Sequence, residues 1–433
     1  MGTNFFRSLI AGLNLLLGIS AVTFASDYVQ QVIIVNEGYN DFSTGEQLVP
    51  VTVASYHPST KVYSVFDTIE GQRFASDVIV AGDYIYVAAD KLLVKYDKNT
   101  LQRVAAQNVV GIRNIAAWND KLIVTRGEYL QKFSSYFQIY NQSDLSFFYE
   151  LDTFTGPKYS TQNIEVMGDK VYFLINNGFD FPNYKGLIGV ADLSAQSYEE
   201  YDLGADGLNP DNLMRDGNML YTLNNKDFTG SSVSVFNVNT GSIVTTNLPN
   251  VSTGCGTSTF FTSNVWYQQY GSMKLHQFNP VNSTVVDSFD FGKSFYGLSV
   301  DTVNNLLYAT TTDYVSTGMA YIYNAAHALI DSFSVGVSAG NIAFDVRKTT
   351  GISNNASNSV MFRVYPNPAN ETLNIENLGA LKAIELLDAS GRKIISATSP
   401  HTPFDIRHLE EGLYFIAALD KNGFRKTVSF VKQ

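Results

Sequence analysis

Asp77, Asn114, Asn163, Asn212 and Asn341 hold matching places in a phrase that the chain repeats. FASDVIVAGDYIYVAAD from Phe74, TQNIEVMGDKVYFLINN from Thr161 and PDNLMRDGNMLYTLNN from Pro210 are three of its copies. Each puts Asp or Asn just ahead of a short apolar run. Carboxylate and amide oxygens are the ligands that a hard cation such as calcium takes, so the set is a candidate metal site. Only Asp77 is anionic, which weakens that chemistry. The competing reading is structural: Asn and Asp bond nearby backbone at turns, and a residue recurs when its unit recurs. In two further copies Thr259 and Gly297 take the place.

A second constellation is aromatic. Segments that follow the phrases carry Tyr39 and Phe42, then Tyr129, then Phe179, Phe181 and Tyr184 in GFDFPNYKG, then Phe228, Tyr270 and Tyr314. Segments that precede the phrases add Arg73, Phe74, Arg113, Tyr159, Phe295 and Tyr296. Turns are normally small and polar. Aromatic rings displayed there give contact area at low entropic cost and mark a candidate ligand-binding face. The alternative is that they pack against neighbouring loops.

Other chemistry is thin. His57, His276, His327, His401 and His408 fall in no paired metal-ligand spacing, and His57 and His327 are expected in surface turns. The chain has no nucleophile elbow or phosphate loop. Cys255, in GCGTS, is the single cysteine, so an intrachain disulfide is excluded. With no histidine placed beside it, it reads as a small buried hydrophobe.

The elements that position these residues follow from the repeat. The phrase supplies two short strands around a Gly-Asp or Asn-Asp turn, and a hairpin follows each copy. The aromatic or apolar residue at the hairpin turn moves from Tyr56 to Tyr96, Tyr140, Ala191, Phe236, Phe278 and Tyr323, a spacing of about 44 residues. That is the length of one four-stranded propeller blade. The first unit, QVIIVNEG, lacks the inner strand, and AGNIAFDV from Ala339 is an inner strand with no successor. The two halves should complete one blade. The expectation is therefore an all-β chain with a seven-bladed β-propeller at 28–347, closed by its own C-terminal strand so that no sheet edge stays open. The aromatic segments then all lie on the face formed by the second-to-third strand loops and the blade-to-blade loops.

This region resembles the YncE-like seven-bladed propellers, in particular a Bacteroidetes branch of domains of unknown function. The resemblance is carried by IIVNEGYND and the recurring Gly/Asn-Asp-x-hydrophobic-Tyr-Val strands. It speaks for fold more than for activity. Some propeller lactonases hold calcium at the channel mouth, which is what a metal-assisted hydrolase or lyase reading of Asp77 and the asparagines would imply. Related surface propellers capture corrinoids and deliver them to outer-membrane transporters, which makes a bulky cofactor a named ligand candidate.

The ends of the chain carry addresses. Residues 1–25 have one cation, Arg7, an apolar run and small residues ending at Ala25, the pattern of a signal peptide. Arg347 to Met361 is polar and aperiodic, and 348–361 is expected to be a linker. Residues 362–433 read as a small Ig-like β-sandwich. They resemble the type A C-terminal sorting domain of type IX secretion through Tyr365-Pro366-Asn367-Pro368, Leu387 to Arg392, Gly412-Leu413-Tyr414 and Lys432. The resemblance implies export across the outer membrane, with the type IX machinery as partner and an extracellular or cell-surface location.

Composition fits. Tyr (26) and Phe (29) are abundant, charged residues make up 16%, and the net charge is −11. Nucleic acid needs a basic footprint and is excluded as a partner. No stretch past residue 25 is long and apolar enough for a spanning helix. Three functions remain open at this level. One is a non-catalytic binding propeller for a small molecule, glycan or protein. The others are the metal-assisted enzyme and an adhesion scaffold with a flat apolar patch. No cofactor is expected to be needed for folding.

Overall fold

A computed structural model describes residues 27–248, 250–254, 257–348, 363–376, 381–389, 392–397, 403–420 and 425–433. The signal-like segment 1–25, Cys255, His401 and all but the first residue of the expected linker lie outside them. The chain divides into two compact units, Asp27–Lys348 and one that takes in Thr349–Gln433. Among the described residues no helix is long and apolar enough to cross a membrane.

The first unit consists chiefly of seven antiparallel four-stranded sheets. Six use strands in simple chain order and begin with the inner strands Asp77–Ala81, Ile112–Trp118, Thr161–Met167, Pro210–Asp216, Ser258–Phe261 and Gly297–Asp301. The seventh joins the two ends of the unit. Ala339–Lys348 pairs with Asp27–Asn36, with Val35 opposite Asn341 and Asp27 opposite Lys348, and Val51–His57 and Val62–Ile69 follow outward. The strand thus runs through Lys348, one residue into the expected linker.

Side-chain alternation explains why the sheets stack. On Asp27–Asn36, Ile33 and Val35 pack with Val78, Ile85 and Val87 of the next sheet, while Val32 and Ile34 pack with Tyr308, Ala320 and Ile322 of the last. On Tyr84–Ala89, Ile85 and Val87 face one neighbour and Tyr86 and Ala88 the other. A second strand buried on both faces must be apolar at every position, which is why these strands are the clearest signal in the sequence. Each fully buried Val, Leu or Ile contributes about 1.5–3 kcal/mol. Corresponding clusters fill the remaining gaps between successive sheets, so the last sheet meets the first. The arrangement is consistent with a propeller.

The outer hairpins follow a local rule. Asp97 Oδ1 accepts the amides of Asn99 (2.9 Å) and Thr100 (2.8 Å), and Leu101 then takes φ +59°. Asp192, Asn237, Asn279 and Asn324 accept amides in the same way in their own turns. This is the Asx chemistry that makes Asp and Asn turn residues. His327 lies in the Asn324 turn, and His57 ends the strand Val51–His57, where its backbone oxygen accepts Lys61 N at 2.7 Å.

The C-terminal unit has a three-stranded sheet, Val364–Tyr365, Thr372–Ile375 and Phe404–Asp405, and a four-stranded sheet in the order Lys393–Ala397, Leu381–Leu387, Gly412–Asp420, Arg425–Lys432. Both contribute to one core that includes Leu373, Ile384, Leu386, Phe404, Ile416 and Phe430.

Candidate functional site

The inner strands converge, and at one end of them opens a cavity of about 810 Å³. Every sheet of the first unit lines it: Glu37 and Asn341, Arg73 and Asp77, Arg113 and Asn114, Gln162 and Asn163, Asp211 and Asn212, Ser258, and Tyr296 with Ser299. Amides, carboxyls and hydroxyls dominate the wall. Aromatic rings come from Tyr39, Phe42, Phe74, Tyr296 and Tyr314.

The five recurring Asp and Asn residues all line this cavity, and most of their polar atoms are committed to backbone. Asp77 Oδ1 accepts Val78 N and Oδ2 accepts Ile115 N, both at 2.8 Å. Asn114 Oδ1 accepts Asn163 N at 2.9 Å. Asn163 accepts Leu213 N at 3.3 Å and donates to Asp211 O at 2.8 Å. Asn212 donates to Ser258 O at 2.6 Å, and Asn341 donates to Ala75 O at 3.5 Å. Apart from the Val78 contact, these bonds do not cap a strand's own turn, as the local reading expected. They reach sideways to the next sheet. The strand ladders are irregular beside them, with register shifts between Ile112 and Ile115, Gln162 and Ile164, and Pro210 and Asn212. Such bulges free backbone groups that need another partner.

Gly297 takes the recurring place in the last sheet for a steric reason. A Cβ there would sit 2.7 Å from Gly340 O and 2.8 Å from Thr310 Oγ1. Thr310 makes the lateral link in its stead, accepting Gly297 N at 3.0 Å and donating to Ala339 O at 2.5 Å.

As a cation site the set is poor. Asp77 is its sole carboxylate and both oxygens already accept amides. Burial pushes its pKa up to about 6, against the backbone bonds that pull it down. No group of three His, Cys, Asp or Glu residues suited to a metal occurs among the described residues.

The ligand candidates divide. Tyr39, Phe42, Arg73, Phe74, Arg113, Tyr296 and Tyr314 line the cavity. Phe42 rises from a small hairpin, Tyr39–Asp41 with Glu46–Val49, whose turn Asp41 holds by accepting Ser43 N at 2.8 Å. Tyr296 donates to Glu37 Oε1 at 2.6 Å and meets Tyr314 edge-on, centroids 5.5 Å apart. Arg73 is held by Asp90 and Glu128, each at 2.5 Å.

The other eight are not part of the lining. Phe295 is buried in an apolar cluster with Phe291 and Tyr323, so it is a core residue and not a displayed one. Tyr184 makes T-shaped contacts with both Phe181 and Phe228. Tyr159 lies under Lys185, 4.9 Å from its Nζ. Phe179 backs the cavity wall with its ring 4.9 Å from the Arg113 guanidinium carbon. Tyr129 and Tyr270 are exposed outside the lining.

Sequence reasoning missed Glu37 and Asp211, the two other carboxyls of the wall. Burial pushes Glu37 up to about 7, opposed by the Tyr296 hydrogen bond and the Arg113 charge. Asp211 is pushed up by burial too, opposed by its bond from Asn225 Nδ2 at 3.2 Å. Glu37 sits in the quoted NEGYND and Asp211 beside Asn212, so an acid next to a recurring position was the available signal.

In the C-terminal unit the sorting-type residues are joined to the last strand. Asn367 donates to Ser429 O at 3.2 Å and accepts Val431 N at 2.9 Å, while Ala369 N donates to Val431 O at 2.8 Å. Tyr414 stacks on Phe430, and Lys432 Nζ reaches Gln433 O. Tyr365 and Pro366 are exposed, as is Pro368 to one side of the buried Ala369; Gly412 starts the strand that pairs with the last one.

Residues 363–433 match the secretion system C-terminal sorting domain. This is the type IX sorting tail, which marks the chain for that machinery and for export to the cell surface or the extracellular space. No curated protein matches the chain in sequence. Among solved structures it is similar to the extracellular domain of the putative one component system BT4673 from B. thetaiotaomicron (TM-score 0.51, 12% identity, 92% of this chain and 57% of that one). A second structure, described as the extracellular domain of the putative hybrid two component system BT4673 from the same organism, gives TM-score 0.51, 13% identity and the same coverages, 92% and 57%. The chain therefore spans a little over half of these structures, and the likeness is one of fold.

Proposed function

We propose that the seven sheets are the blades of a YncE-like seven-bladed propeller, followed by an Ig-like sorting domain, and that the propeller is a non-catalytic binding protein displayed or released outside the cell. The ligand occupies the cavity at the channel mouth. One observation carries this reading: all seven sheets send side chains to a single concave wall, where polar groups fix orientation and aromatic rings give contact area.

The wall fits a polar small molecule with hydroxyl or amide groups, and no feature of it singles out a corrinoid among such ligands. A concave polar mouth is likewise unlike the flat apolar patch of an adhesion scaffold. The hydrolase reading rests on Asp77 alone among the five recurring residues, and its oxygens are engaged.

Saturation-transfer NMR of the purified protein against neutral and acidic oligosaccharides, short peptides and cobalamin tests the proposal. Binding that is lost in a Tyr296→Ala, Tyr314→Ala double variant, with unfolding temperature retained, supports it. Binding that survives in that variant moves the site elsewhere.

A further inference from the structure

Arg113 stands apart from every other charged group of the cavity wall. Its neighbour Arg73 is already ion-paired with Asp90 and Glu128. The Arg113 guanidinium makes no hydrogen bond or ion pair among the described residues, and its Nε is fully buried without a partner. Its guanidinium carbon lies 5.4 Å from the Phe74 ring centre and 4.9 Å from that of Phe179. Aromatic faces stabilise a guanidinium but cannot accept its five in-plane N–H groups. A buried cation with unused donors is costly unless something completes it. Arg113 lines the cavity, so a ligand there can bring a completing group.

We infer that the ligand of this cavity is an acidic sugar whose carboxylate docks on the Arg113 guanidinium while its hydroxyls meet the amide, hydroxyl and carboxyl groups of the wall. The inference rests on the binding function proposed above and names the chemistry of its ligand. A carboxylate matches the guanidinium fork and can take two parallel bonds from it. A single negative charge suits the site better than a phosphate dianion, because Glu37 and Asp211 lie close enough to act on Arg113 electrostatically. Glu37, Gln162, Ser258, Ser299 and Ser338 supply donors and acceptors for hydroxyls. Tyr296 and Tyr314 supply faces for the apolar side of a sugar ring.

The test compares trigalacturonate with its fully methyl-esterified form, which differs only in charge and ester methyls. Both are titrated into the protein purified from culture medium and read by calorimetry and saturation-transfer NMR. The acid is expected to bind at least about tenfold more tightly than the ester, the lower end for a charge-assisted pair. Arg113→Gln should bring acid and ester to equal affinity. Arg113→Lys should recover only part of the difference, since an ammonium lacks the fork. The acid–ester comparison on the unaltered protein stands even where a variant fails to fold. Equal binding of acid and ester overturns the inference and leaves the binding function standing. So does binding of a neutral oligosaccharide, a tripeptide or a sugar phosphate in preference to the acid. Failure of every probe to bind overturns both.

Discussion

The Asp77 carboxylate accepts the amide of Ile115, at 2.8 Å, from the inner strand of the adjacent sheet. The bond joins two sheets that also share an apolar cluster and a link from Ser76 Oγ to Arg113 O at 2.5 Å. It is repeated by Asn114 to Asn163 and by Asn163 to Leu213 around the ring. Recurrence of Asn in the sequence therefore reflects a lateral clasp between inner strands, and in three of them a bulge frees amides that the neighbouring sheet satisfies.

Asn163 makes the fullest clasp, with one bond accepted and one donated across the sheets, at φ +29°. Asn163→Ala removes both bonds and leaves Leu213 N and Asp211 O without that partner. The expected cost is about 1–3 kcal/mol, that of unsatisfied half-buried groups. Urea unfolding followed by tryptophan fluorescence measures it. An unchanged midpoint would return the residue to a purely local role.

Two glycines separate fold from site. At Gly297 a Cβ meets backbone, Gly340 O at 2.7 Å, and cannot be relieved without moving an inner strand. At Gly340 the nearest atoms are the Glu37 carboxyl, at 2.6 Å, and the Tyr296 ring edge, at 2.9 Å, both side chains that can turn aside. Gly297→Ala is expected to destabilise by about 1–3 kcal/mol, as overpacking does. Gly340→Ala should cost less in stability yet weaken ligand binding by displacing Glu37 and Tyr296. Thermal unfolding and titration of both variants separate the effects.

Much of the fold was legible because the second strands are buried on two faces. An apolar run such as Ile85 to Ala89 can hardly serve any other geometry, and seven of them at even spacing set the sheets. The site was half legible. Position in the repeat brought Arg73, Phe74, Arg113, Tyr296 and Tyr314 to the mouth, since loops at equal places in equal units share one face. It could not tell which rings turn inward. Phe295 and Tyr296 are adjacent in the loop before the inner strand, yet one enters the core and the other the cavity. The GFDFPNYKG loop drew attention by its irregularity; its Tyr184 packs against Phe181 and Phe228, and Phe181 stays exposed outside the cavity lining. Glu37 and Asp211 escaped notice because burial, which no spacing reveals, is what gives a carboxyl an unusual character.

Glu37 gives the first unit a pH dependence of known sign. Its carboxyl is raised from 4.5 to about 7 by burial, with Tyr296 and Arg113 opposing. The folded state therefore holds the proton more tightly than the unfolded chain. The resulting stabilisation is complete below about pH 4.5 and is lost as pH rises through about 7. Glu37→Gln should flatten this part of the stability profile. Relative to the unaltered protein it gains stability above pH 7, by roughly 1–3 kcal/mol. Chemical denaturation between pH 5 and about 8.5 reads the change. Tyr296→Phe, which removes a bond favouring the ionised form, should move the midpoint higher still.

Asn367 links the sorting motif to the end of the chain. Its side chain bonds Ser429 O and Val431 N, and the backbone of Ala369 bonds Val431 and Gln433. The Tyr-Pro-Asn-Pro turn and the last strand are therefore one structure. Asn367→Ala breaks two of these bonds at an exposed site, a loss of about 1–2 kcal/mol. Folding of the first unit should be untouched, because it has its own cores. Export should fall, since a tail that opens at this edge presents a different surface to the type IX machinery. Quantifying the protein in medium and in cells checks this. Normal export with a destabilised C-terminal unit would mean that the machinery reads exposed residues such as Tyr365 and does not need the closed edge.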